Sequence, residues 1–480
     1  MVTEHDLLAG YPRETEIDPQ RVADQAVADA SVLVVLDDDP TGTQSVADLP
    51  VLTSWEPDDF AWAFGQNAPA VYVLTNTRSL AEDTAAERNQ QIVVNALAAA
   101  ERSGVTVSFA SRSDSTLRGH YPLETDVLAA TSFDVTGRAV DAVIIVPAFP
   151  DAGRITIDSV HYMRTADGLT PVAETEFARD ATFGFTHSDL RAYVEEKSAG
   201  RWKADGVTAL TLDIVRGGAE GIAEVLAGLR DSAPVVVDIV TENDLRALAL
   251  GLAAAEAAGK NLLYRVGPPF VRARVGQAPH APLTAADVYG DAGSAAVGGL
   301  IVVGSHVGLT TRQLDRLTAR QPLARIAEID VERVLDEKAA EGHLAGLVAD
   351  IVASLGEGDV VVHTSRLLRR SDSADESLEI SRRVSAAVVD LVQRVLAARP
   401  PRFVIAKGGI TSSDVAAHGL SIRHAIVRGP MLPGLVSLWE PVDGPAKGIP
   451  YIVFAGNVGD DESLADVVRI LSHTSVPVAV

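Results

Sequence analysis

The stretch VTVSFASRSDSTLRGH, residues 105–120, changes character abruptly in its middle. Residues 105–110 are rich in β-branched side chains and predict a buried strand. Residues 112–120 are almost without apolar side chains and present two guanidinium groups, a carboxylate and hydroxyls. A connecting loop needs turn formers, but it does not need this set of charged groups. The mixture favours a loop that binds a small, anionic, polyhydroxylated molecule.

Short strands of the same kind recur along the chain, and most of them precede a helical segment. Such runs are typical of parallel strands covered on both faces, and their alternation with helices predicts doubly wound sheets. The predicted strands cover residues 31–36, 71–75, 105–110, 141–149, 207–212, 235–240, 262–267, 299–305, 324–330, 359–365, 402–409, 424–429 and 451–457. The expected fold class is α/β, with two doubly wound, mostly parallel-sheet domains and an inter-domain cleft.

A break in this pattern indicates where one domain gives way to the next. Residues 277–297 are rich in Ala, Pro, Gly and Asp, which predicts a linker. We therefore expect a first domain at residues 31–276 and a second at residues 298–480. Residues 1–30 are charged and Ala-rich and predict a helical N-terminal arm.

The composition narrows the classes of function. Asp and Glu number 65 against 41 Lys and Arg, and the net charge of −24 repels phosphate backbones and anionic lipids. We therefore expect no nucleic acid and no membrane partner, and a homodimer is left open. The chain has no cysteine, and its 11 scattered histidines predict no dedicated metal site. Because no segment resembles a signal peptide or a membrane helix, a cytoplasmic protein is expected.

Polar clusters follow successive strands of the first domain. Ligands of open parallel sheets bind beyond the carboxyl ends of the strands, where these clusters are expected to meet. Arginine can fork onto a carboxylate, Asp and Asn can bond to sugar hydroxyls, and an Asp can serve as general base. One such cluster is typical of a turn or a helix cap, but four favour a binding site. The clusters are Asp37–Gly42, Asn76–Arg78, residues 112–120, and Asp151 with Arg154.

The corresponding clusters of the second domain contain Gly, Ser and Thr rather than charged residues. Glycine lets the backbone approach a ligand, and free N–H groups at the start of a helix attract anions, which favours phosphate binding. Neither a P-loop nor the dinucleotide-binding pattern G-x-G-x-x-G is present. Lys407 either meets a phosphate or is an exposed lysine at the end of a strand. The clusters are GSHVG (304–308), HTSR (363–366), KGGITSSD (407–414) and AGNVGDDES (455–463).

Six of these motifs, taken in order, carry a resemblance to a known family. DDPTGT, DSTLRGH, VPAFPDAGR, GSHV, KGGITSSD and AGNVGDDESL together resemble the four-carbon acid sugar kinases, from about residue 31 to the C-terminus. The resemblance implies ATP-dependent phosphorylation of an acid sugar such as threonate, erythronate or an oxo-tetronate, with Mg²⁺ accompanying ATP. It also implies that the first domain binds the acid sugar and the second binds the nucleotide.

The resemblance further implies roles for individual residues. It assigns catalysis to Asp38, Asp39 and Asp114, one of which would orient and deprotonate the terminal hydroxyl. Arg112 and Arg118 are expected to hold the substrate carboxylate. The full set of expected substrate-binding residues is Asn76, Arg78, Arg112, Ser115 and Arg118. The expected ATP-binding residues are Ser305, Ser365, Gly408, Gly409, Thr411 and Gly456.

The chain departs from the family pattern at several positions within these motifs. Pro40 stands where the family often has an aromatic residue, and Thr43 stands where it has alanine. Arg112 replaces a lysine and His120 replaces an asparagine. Ile410 takes the place of an acidic residue in the Gly-rich loop, which motivates an alternative, a protein that binds ATP and acid sugar without transfer. A third candidate, a nicotinamide-dependent dehydrogenase of 2-hydroxy acids, lacks the G-x-G-x-x-G pattern.

Overall fold

Two structural units divide the chain, one ending at Pro279 and the other beginning at His280. The computed structural model describes residues 3–29, 31–166, 168–290, 296–365 and 374–472, with side chains from Glu379 onward in the last range. None of the described helices is long and apolar enough to cross a lipid bilayer.

The first unit is built on a parallel sheet. Its strands are β1 (Ser31–Asp37), β2 (Leu49–Leu52), β3 (Ala70–Leu74), β4 (Thr106–Arg112), β5 (Ala142–Val146), β6 (Arg154–Ile157), β7 (Val160–Thr165), β8 (Gly168–Pro171), β9 (Thr208–Leu210), β10 (Ala233–Val237) and β11 (Leu262–Val266). The parallel strands lie in the order β2-β3-β1-β4-β11-β5-β10-β9. A separate antiparallel sheet contains β6, β7 and β8.

Helices cover this sheet and enclose its core. They are α1 (Glu4–Leu8), α2 (Pro19–Asp29), α3 (Pro57–Phe64), α4 (Glu82–Ser103), α5 (Leu123–Thr136), α6 (Leu190–Lys197), α7 (Leu212–Gly217), α8 (Ala219–Ala227), α9 (Glu242–Ala257) and α10 (Pro268–Arg274). Val34 and Leu36, which point to one face of β1, are buried in one cluster with Phe60 of α3 and Ile92 of α4. The apolar strand runs thus become the inner layer of the unit.

The second unit repeats the α/β plan with a mixed sheet. Its strands are β12 (Leu300–Val303), β13 (Leu323–Ile329), β14 (Asp359–Thr364), β15 (Val404–Lys407), β16 (His424–Leu432), β17 (Leu435–Pro441) and β18 (Tyr451–Phe454). They lie in the order β13-β14-β12-β15-β18-β17-β16, parallel up to β18 and antiparallel beyond it. The helices are α11 (Ala285–Tyr289), α12 (Gly308–Arg320), α13 (Val331–Leu335), α14 (Glu337–Ser354), α15 (Ala374–Ala398), α16 (Gly409–Asp414) and α17 (Ser463–Ser472).

The predicted α/β class is confirmed, and every predicted strand overlaps an observed one. Sequence analysis missed β2, the small sheet β6–β8, and β17. The small sheet was missed because residues 154–171 mix polar and apolar side chains and lack the apolar run of a buried parallel strand. The predicted strand 424–429 ends before Pro430, a residue that normally weakens a strand prediction, whereas β16 continues through Pro430 and turns back into β17.

Residues 3–29 include α2, which packs into the first unit. Val22 is buried, and the guanidinium of Arg246 in α9 donates to the carbonyl oxygen of Ile17 at 3.1 Å. A Cβ added at Gly276 would lie 2.2 Å from the backbone nitrogen of Ala23. Because Gly276 also has a φ of 71°, both its conformation and its surroundings require glycine.

This contact predicts a difference between two glycine substitutions. Gly276→Ala meets a left-handed φ and the backbone of α2, whereas Gly259→Ala meets a φ of 97° with no heavy atom within 4 Å. We expect Gly276→Ala to lower Tm about twice as much as Gly259→Ala in thermal unfolding. Equal losses of Tm in the two variants would show that α2 is not held tightly at this point.

Candidate functional site

A buried ion pair joins the ends of two neighbouring strands in the first unit. The parallel register of β1 and β4 sets Asp37 opposite Arg112. The guanidinium of Arg112 binds the Asp37 carboxylate, lies 3.4 Å from Asp38, and donates to the backbone carbonyl of Asp39. The side chains of Asp37 and Arg112 are each only 2% exposed. Arg112 therefore fixes the path of the backbone just after β1.

The carboxylates at this point have displaced pKa values. Burial raises the pKa of Asp37 to about 7, even though Arg112 lowers it, and the nearby carboxylates of Asp38 and Asp39 raise it further. Burial also raises the pKa of Asp38 against the opposing effect of Arg78 and Arg112. For Asp39 the same two arginines outweigh burial, and its pKa is lowered.

Arg78 connects the turn after β3 to these carboxylates. It lies in a 3₁₀ turn, residues 77–79, which begins after Asn76 in a left-handed conformation with a φ of 52°. Its guanidinium forks onto Asp38, with N···O distances of 2.5 and 3.1 Å, and lies 3.6 Å from Asp39. Asn76 thus shapes the turn that aims Arg78 at the end of β1.

The loop 112–120 adds the third aspartate and a further arginine. Arg118 donates from Nε to Asp114 at 2.6 Å and lies 3.7 Å from Asp180, and the Thr116 hydroxyl donates to Asp114. Burial acts to raise the pKa of Asp114, but Arg78, Arg118 and these hydrogen bonds hold it well below its usual value. Asp114 is therefore a firmly ionised hydrogen-bond acceptor.

The small antiparallel sheet supports this loop from behind. His161 of β7 is buried, and burial lowers its pKa to about 4, so the ring is neutral near pH 7. We assign the proton to Nε2, which donates to the carbonyl of Ser115 at 2.8 Å, while Nδ1 accepts from the Thr156 hydroxyl at 2.9 Å. Tyr193 donates to the carbonyl of Leu117 at 2.9 Å.

The sequence places His161 in a candidate loop as a local hydrogen-bond partner, but it did not reveal the supporting roles of Thr156 and Tyr193. The signal that could have revealed them is the polar–apolar alternation of residues 154–163, which gives Thr156 and His161 a common face of β6 and β7. His120, which replaces the family's asparagine, has Nε2 at 3.0 and 3.1 Å from the carbonyls of Thr77 and Leu80. It links loop 112–120 to the turn that carries Arg78.

The structure thus gathers the expected residues of the first unit into one network but separates them by depth. Arg78, Asp39, Asp114 and Arg118 have side chains 18%, 23%, 14% and 24% exposed, whereas Asp38 and Arg112 are 1% and 2% exposed. Ser115 follows Asp114 in the loop and is buried. The accessible rim therefore consists of two carboxylates and two guanidinium groups.

In the second unit, the loops at the carboxyl ends of the central strands contain glycines that pack closely against hydroxyl side chains. Strands β12, β15 and β18 are neighbours, so the loops after them adjoin. A Cβ added at Gly304 would lie 2.1 Å from the Thr411 hydroxyl, and one at Gly456 would lie 2.5 Å from the Ser305 hydroxyl. Gly408 has a φ of 131°, and a Cβ there would lie 3.1 Å from the Thr411 hydroxyl and 3.3 Å from Ser305. We call these five residues the glycine cradle.

A cavity of about 260 Å³ opens beside the glycine cradle. Gly304, Thr411 and Asp414 line its polar side, and Ile410, which follows Gly409 at the start of α16, is 58% exposed at this cavity. The apolar side is formed by Val331, Ile380, Val384 and Val388. Such a shape suits a flat apolar group joined to an anionic one.

Two residues of the second unit occupy other places than expected. The Ser365 hydroxyl donates to Glu328 at 2.8 Å and accepts from the backbone N–H of Val331, while its neighbour Thr364 lines the cavity. Lys407 is not an exposed lysine: it is fully buried, and its ammonium donates to the carbonyl of Ala455 at 2.6 Å. Burial lowers the pKa of Lys407 to about 7.

The second unit offers groups that could hold the phosphates and the Mg²⁺ ion of a nucleotide. The glycine cradle holds the hydroxyls of Ser305 and Thr411, which can donate to phosphate oxygens. The backbone N–H groups of Gly304, Ser305 and Gly408 already donate to the carbonyls of Lys407 and Phe454. The described residues include no group of three or more His, Asp or Glu arranged around a metal ion. Mg²⁺ in phosphate sites often takes only one or two carboxylates besides phosphate oxygens, and Asp414 is the carboxylate on the cavity lining.

The burial of Lys407 predicts a pH dependence of stability. The folded chain releases the Lys407 proton near pH 7 and the unfolded chain near 10.5, so the unfolded state binds more protons between these values. The free energy of unfolding of the wild type relative to Lys407→Met should therefore rise between pH 7 and 9, by up to about 1.4 kcal/mol per pH unit. Lys447→Met, at an exposed lysine, is the control and should leave the slope unchanged. Parallel pH profiles for wild type and Lys407→Met would contradict the assignment.

Comparison with known proteins adds independent information. Residues 33–274 match the family model of a sugar-binding N-terminal domain, and residues 300–464 match that of a nucleotide-binding C-terminal domain. No curated protein matches the chain.

Solved structures share its fold. Haemophilus influenzae protein HI1011, of the family DUF1537, is 18% identical with a TM-score of 0.61, over 92% of this chain and 100% of that one. A candidate tRNA synthase from Salmonella typhimurium LT2 is 18% identical with a TM-score of 0.65, over 91% and 98%. Because both domain models match in order and together span most of its length, the chain belongs to the four-carbon acid sugar kinase family.

Proposed function

We propose that this protein is an ATP-dependent kinase that phosphorylates a hydroxyl of a four-carbon acid sugar such as threonate, erythronate or an oxo-tetronate. The observation that supports the proposal most is the contrast between the two units. The sugar-binding unit presents an accessible rim of Asp39, Asp114, Arg78 and Arg118. The nucleotide-binding unit presents a glycine cradle beside a partly apolar cavity. Phosphoryl transfer also requires that ATP and the acid sugar meet. We therefore keep the predicted inter-domain cleft as part of the proposal.

Exposure divides the expected residues into two roles. Asp39, Asp114, Arg78 and Arg118 are accessible enough to contact the acid sugar, together with the half-buried Asn76. Ser115 is buried behind this rim and is proposed to support the substrate site from there. Asp38 and Arg112 are better suited to holding that rim in place, since their charged groups already bind Arg78 and Asp37. Arg112 is therefore proposed as a positioning residue rather than as a ligand of the substrate carboxylate.

The electrostatics of Asp114 favour orientation over proton abstraction. A general base works best with a pKa near the working pH, whereas the pKa of Asp114 is held far below it. Phosphoryl transfer through a loose transition state depends mainly on positioning and charge stabilisation. We propose that Asp114 accepts a hydrogen bond from the attacking hydroxyl and aligns one lone pair of that oxygen with phosphorus.

On the nucleotide side, backbone N–H groups and hydroxyls would hold the phosphates. Ser305 and Thr411 are proposed to act through their hydroxyls, and Gly409 and Gly456 through their N–H groups. Gly408, whose N–H donates to Phe454, would allow close approach of the ligand, and the apolar cavity wall would hold the base. Ser365 would act indirectly by fixing the segment that contains Val331. Mg²⁺ bound with the nucleotide neutralises phosphate charge, and Asp414 is the carboxylate available to hold it.

A second candidate function is favoured by Ile410. This exposed apolar side chain lines the cavity where related sequences often have an acidic residue. A protein that binds ATP and acid sugar without transfer would retain both sites and release no ADP. Measured ADP release therefore separates the two candidates.

The decisive experiment is coupled ADP release with Mg–ATP against threonate, erythronate, their 2-oxo and 3-oxo forms, and longer aldonates. ADP release with one acid far above the rate with ATP alone would support the kinase and identify its substrate. If calorimetry detects ATP and acid binding but every acid gives the background rate, the binding protein is the better description. Binding of ATP without any acid would refute the substrate class.

The role of Asp114 leads to a prediction for the active acid. Asp114→Asn keeps the size of the side chain but weakens the acceptor, leaves Arg118 without its carboxylate and removes a negative charge near Arg78. Turnover should fall by more than about 100-fold. Asp58→Asn, at an aspartate 91% exposed in the same unit, is the matched control. Near-normal turnover by a folded Asp114→Asn variant would remove Asp114 from the mechanism.

A further inference from the structure

Arg154 begins β6 on a tightly closed turn after β5. The backbones of Phe149 and Arg154 exchange hydrogen bonds of 2.8 and 2.9 Å across the intervening PDAG. Gly153 within this turn has a φ of 74°, and a Cβ there would lie 3.2 Å from Arg164. The Arg154 backbone is therefore held firmly, although no role has yet been assigned to its side chain.

The face of β6 that carries Arg154 is turned toward the candidate site. Arg154 and Thr156 share one face of the strand because side chains alternate. Thr156 bonds to His161, and His161 in turn donates to Ser115 in loop 112–120. In agreement, the charged groups that act most strongly on Arg154 are Asp114 and Arg118.

Arg154 differs from its neighbours in having no salt bridge. Arg78, Arg112 and Arg118 each bind an aspartate, whereas the guanidinium of Arg154 makes no ion pair or hydrogen bond with any residue in the described part of the chain. Its Nε is buried without a hydrogen-bond partner there. A buried donor without a partner is costly, so this position calls for an acceptor.

The charge of Arg154 points the same way. Burial lowers its pKa, which means that the surroundings disfavour the cation. Asp114 offsets this only in part, because it is bound to Arg118. A second anion beside Arg154 would supply both the missing acceptor and the missing charge.

We infer that Arg154 binds the carboxylate of the acid sugar and makes the site select acids over neutral polyols. This inference deepens the proposed function and rests on it. The planar guanidinium fork matches a carboxylate with two parallel hydrogen bonds. Arg118 has its Nε on Asp114 and Arg112 is buried on Asp37, so Arg154 is the site arginine whose fork is uncommitted. Asp114, adjacent to it, then faces the hydroxyls of the same ligand.

The test is Arg154→Gln, compared by calorimetry and kinetics with threonate or the active acid of the panel and with threitol, in which CH₂OH replaces the carboxylate. We expect affinity for the acid to fall and its KM to rise by about 10- to 100-fold, because a charged hydrogen bond is lost. Weak binding of threitol, the KM for ATP, and kcat at saturation should change by less than about threefold. Arg154→Lys keeps the charge but not the planar fork, so its affinity and KM for the acid should lie between those of the wild type and those of Arg154→Gln.

Arg191→Gln provides the matched control, since Arg191 binds Asp189 on the surface of the same unit and should leave all constants unchanged. An unchanged KM for the acid in Arg154→Gln, or equal losses for acid and threitol, would overturn the inference. If the acids bind but release no ADP, only the kinase proposal fails, and calorimetry of Arg154→Gln still decides the role of Arg154. If no four-carbon acid binds the wild type, both the kinase proposal and the inference about Arg154 are refuted. If Arg154→Gln does not fold, the same comparison of the acid with threitol is made with Arg154→Lys.

Discussion

The parallel pairing of β1 with β4 places Asp37 opposite Arg112, and the candidate sugar site depends on this buried pair. Two charges are costly to remove from water, and their attraction offsets that cost only when the geometry is good. Arg112 meets this condition by also binding the carbonyl of Asp39. The backbone that carries Asp38 and Asp39 is thereby tied to the strand that leads into loop 112–120. The buried salt bridge of Asp37 and Arg112 thus sets the positions of the accessible charges of the rim.

A second level of support keeps these accessible charges in place. His161 can bond to both Thr156 and Ser115 as a neutral ring, and burial keeps it neutral. Glu124 binds Arg265 and accepts from the hydroxyls of Ser111 and Thr77, which joins β4, β11 and the turn after β3. Binding groups held by such contacts lose little conformational entropy when a ligand arrives.

Under the proposed function, the two units would bind their anionic ligands in different ways. The first unit uses charged side chains in balanced pairs, which suits a ligand with both a carboxylate and hydroxyls. The second brings glycines together so closely that added Cβ atoms would collide with Ser305 and Thr411. Its buried lysine, Lys407, stabilises the loop after β18 through the carbonyl of Ala455. Backbone N–H groups are suited to phosphate because they bind it without requiring a charged side chain.

The sequence by itself determined the α/β class, the positions of most parallel strands, and the polar clusters at their ends, because these are local patterns of two to eight residues. Residues 37–39 show why it determined no more: three adjacent aspartates look alike in sequence, yet one lies deep beside Arg112, one is gripped by Arg78, and one reaches the rim. Likewise the sequence predicted that Arg112 holds the substrate carboxylate, and it gave Arg154 only as one member of a polar cluster. Depth and pairing depend on neighbours far away in the chain, such as Asp37, which is 75 residues from Arg112, and Asp238, which is 80 residues from the turn after β6. Only the tertiary structure decided which charges neutralise one another and which remain for a ligand, because burial is a property of packing and not of the local sequence.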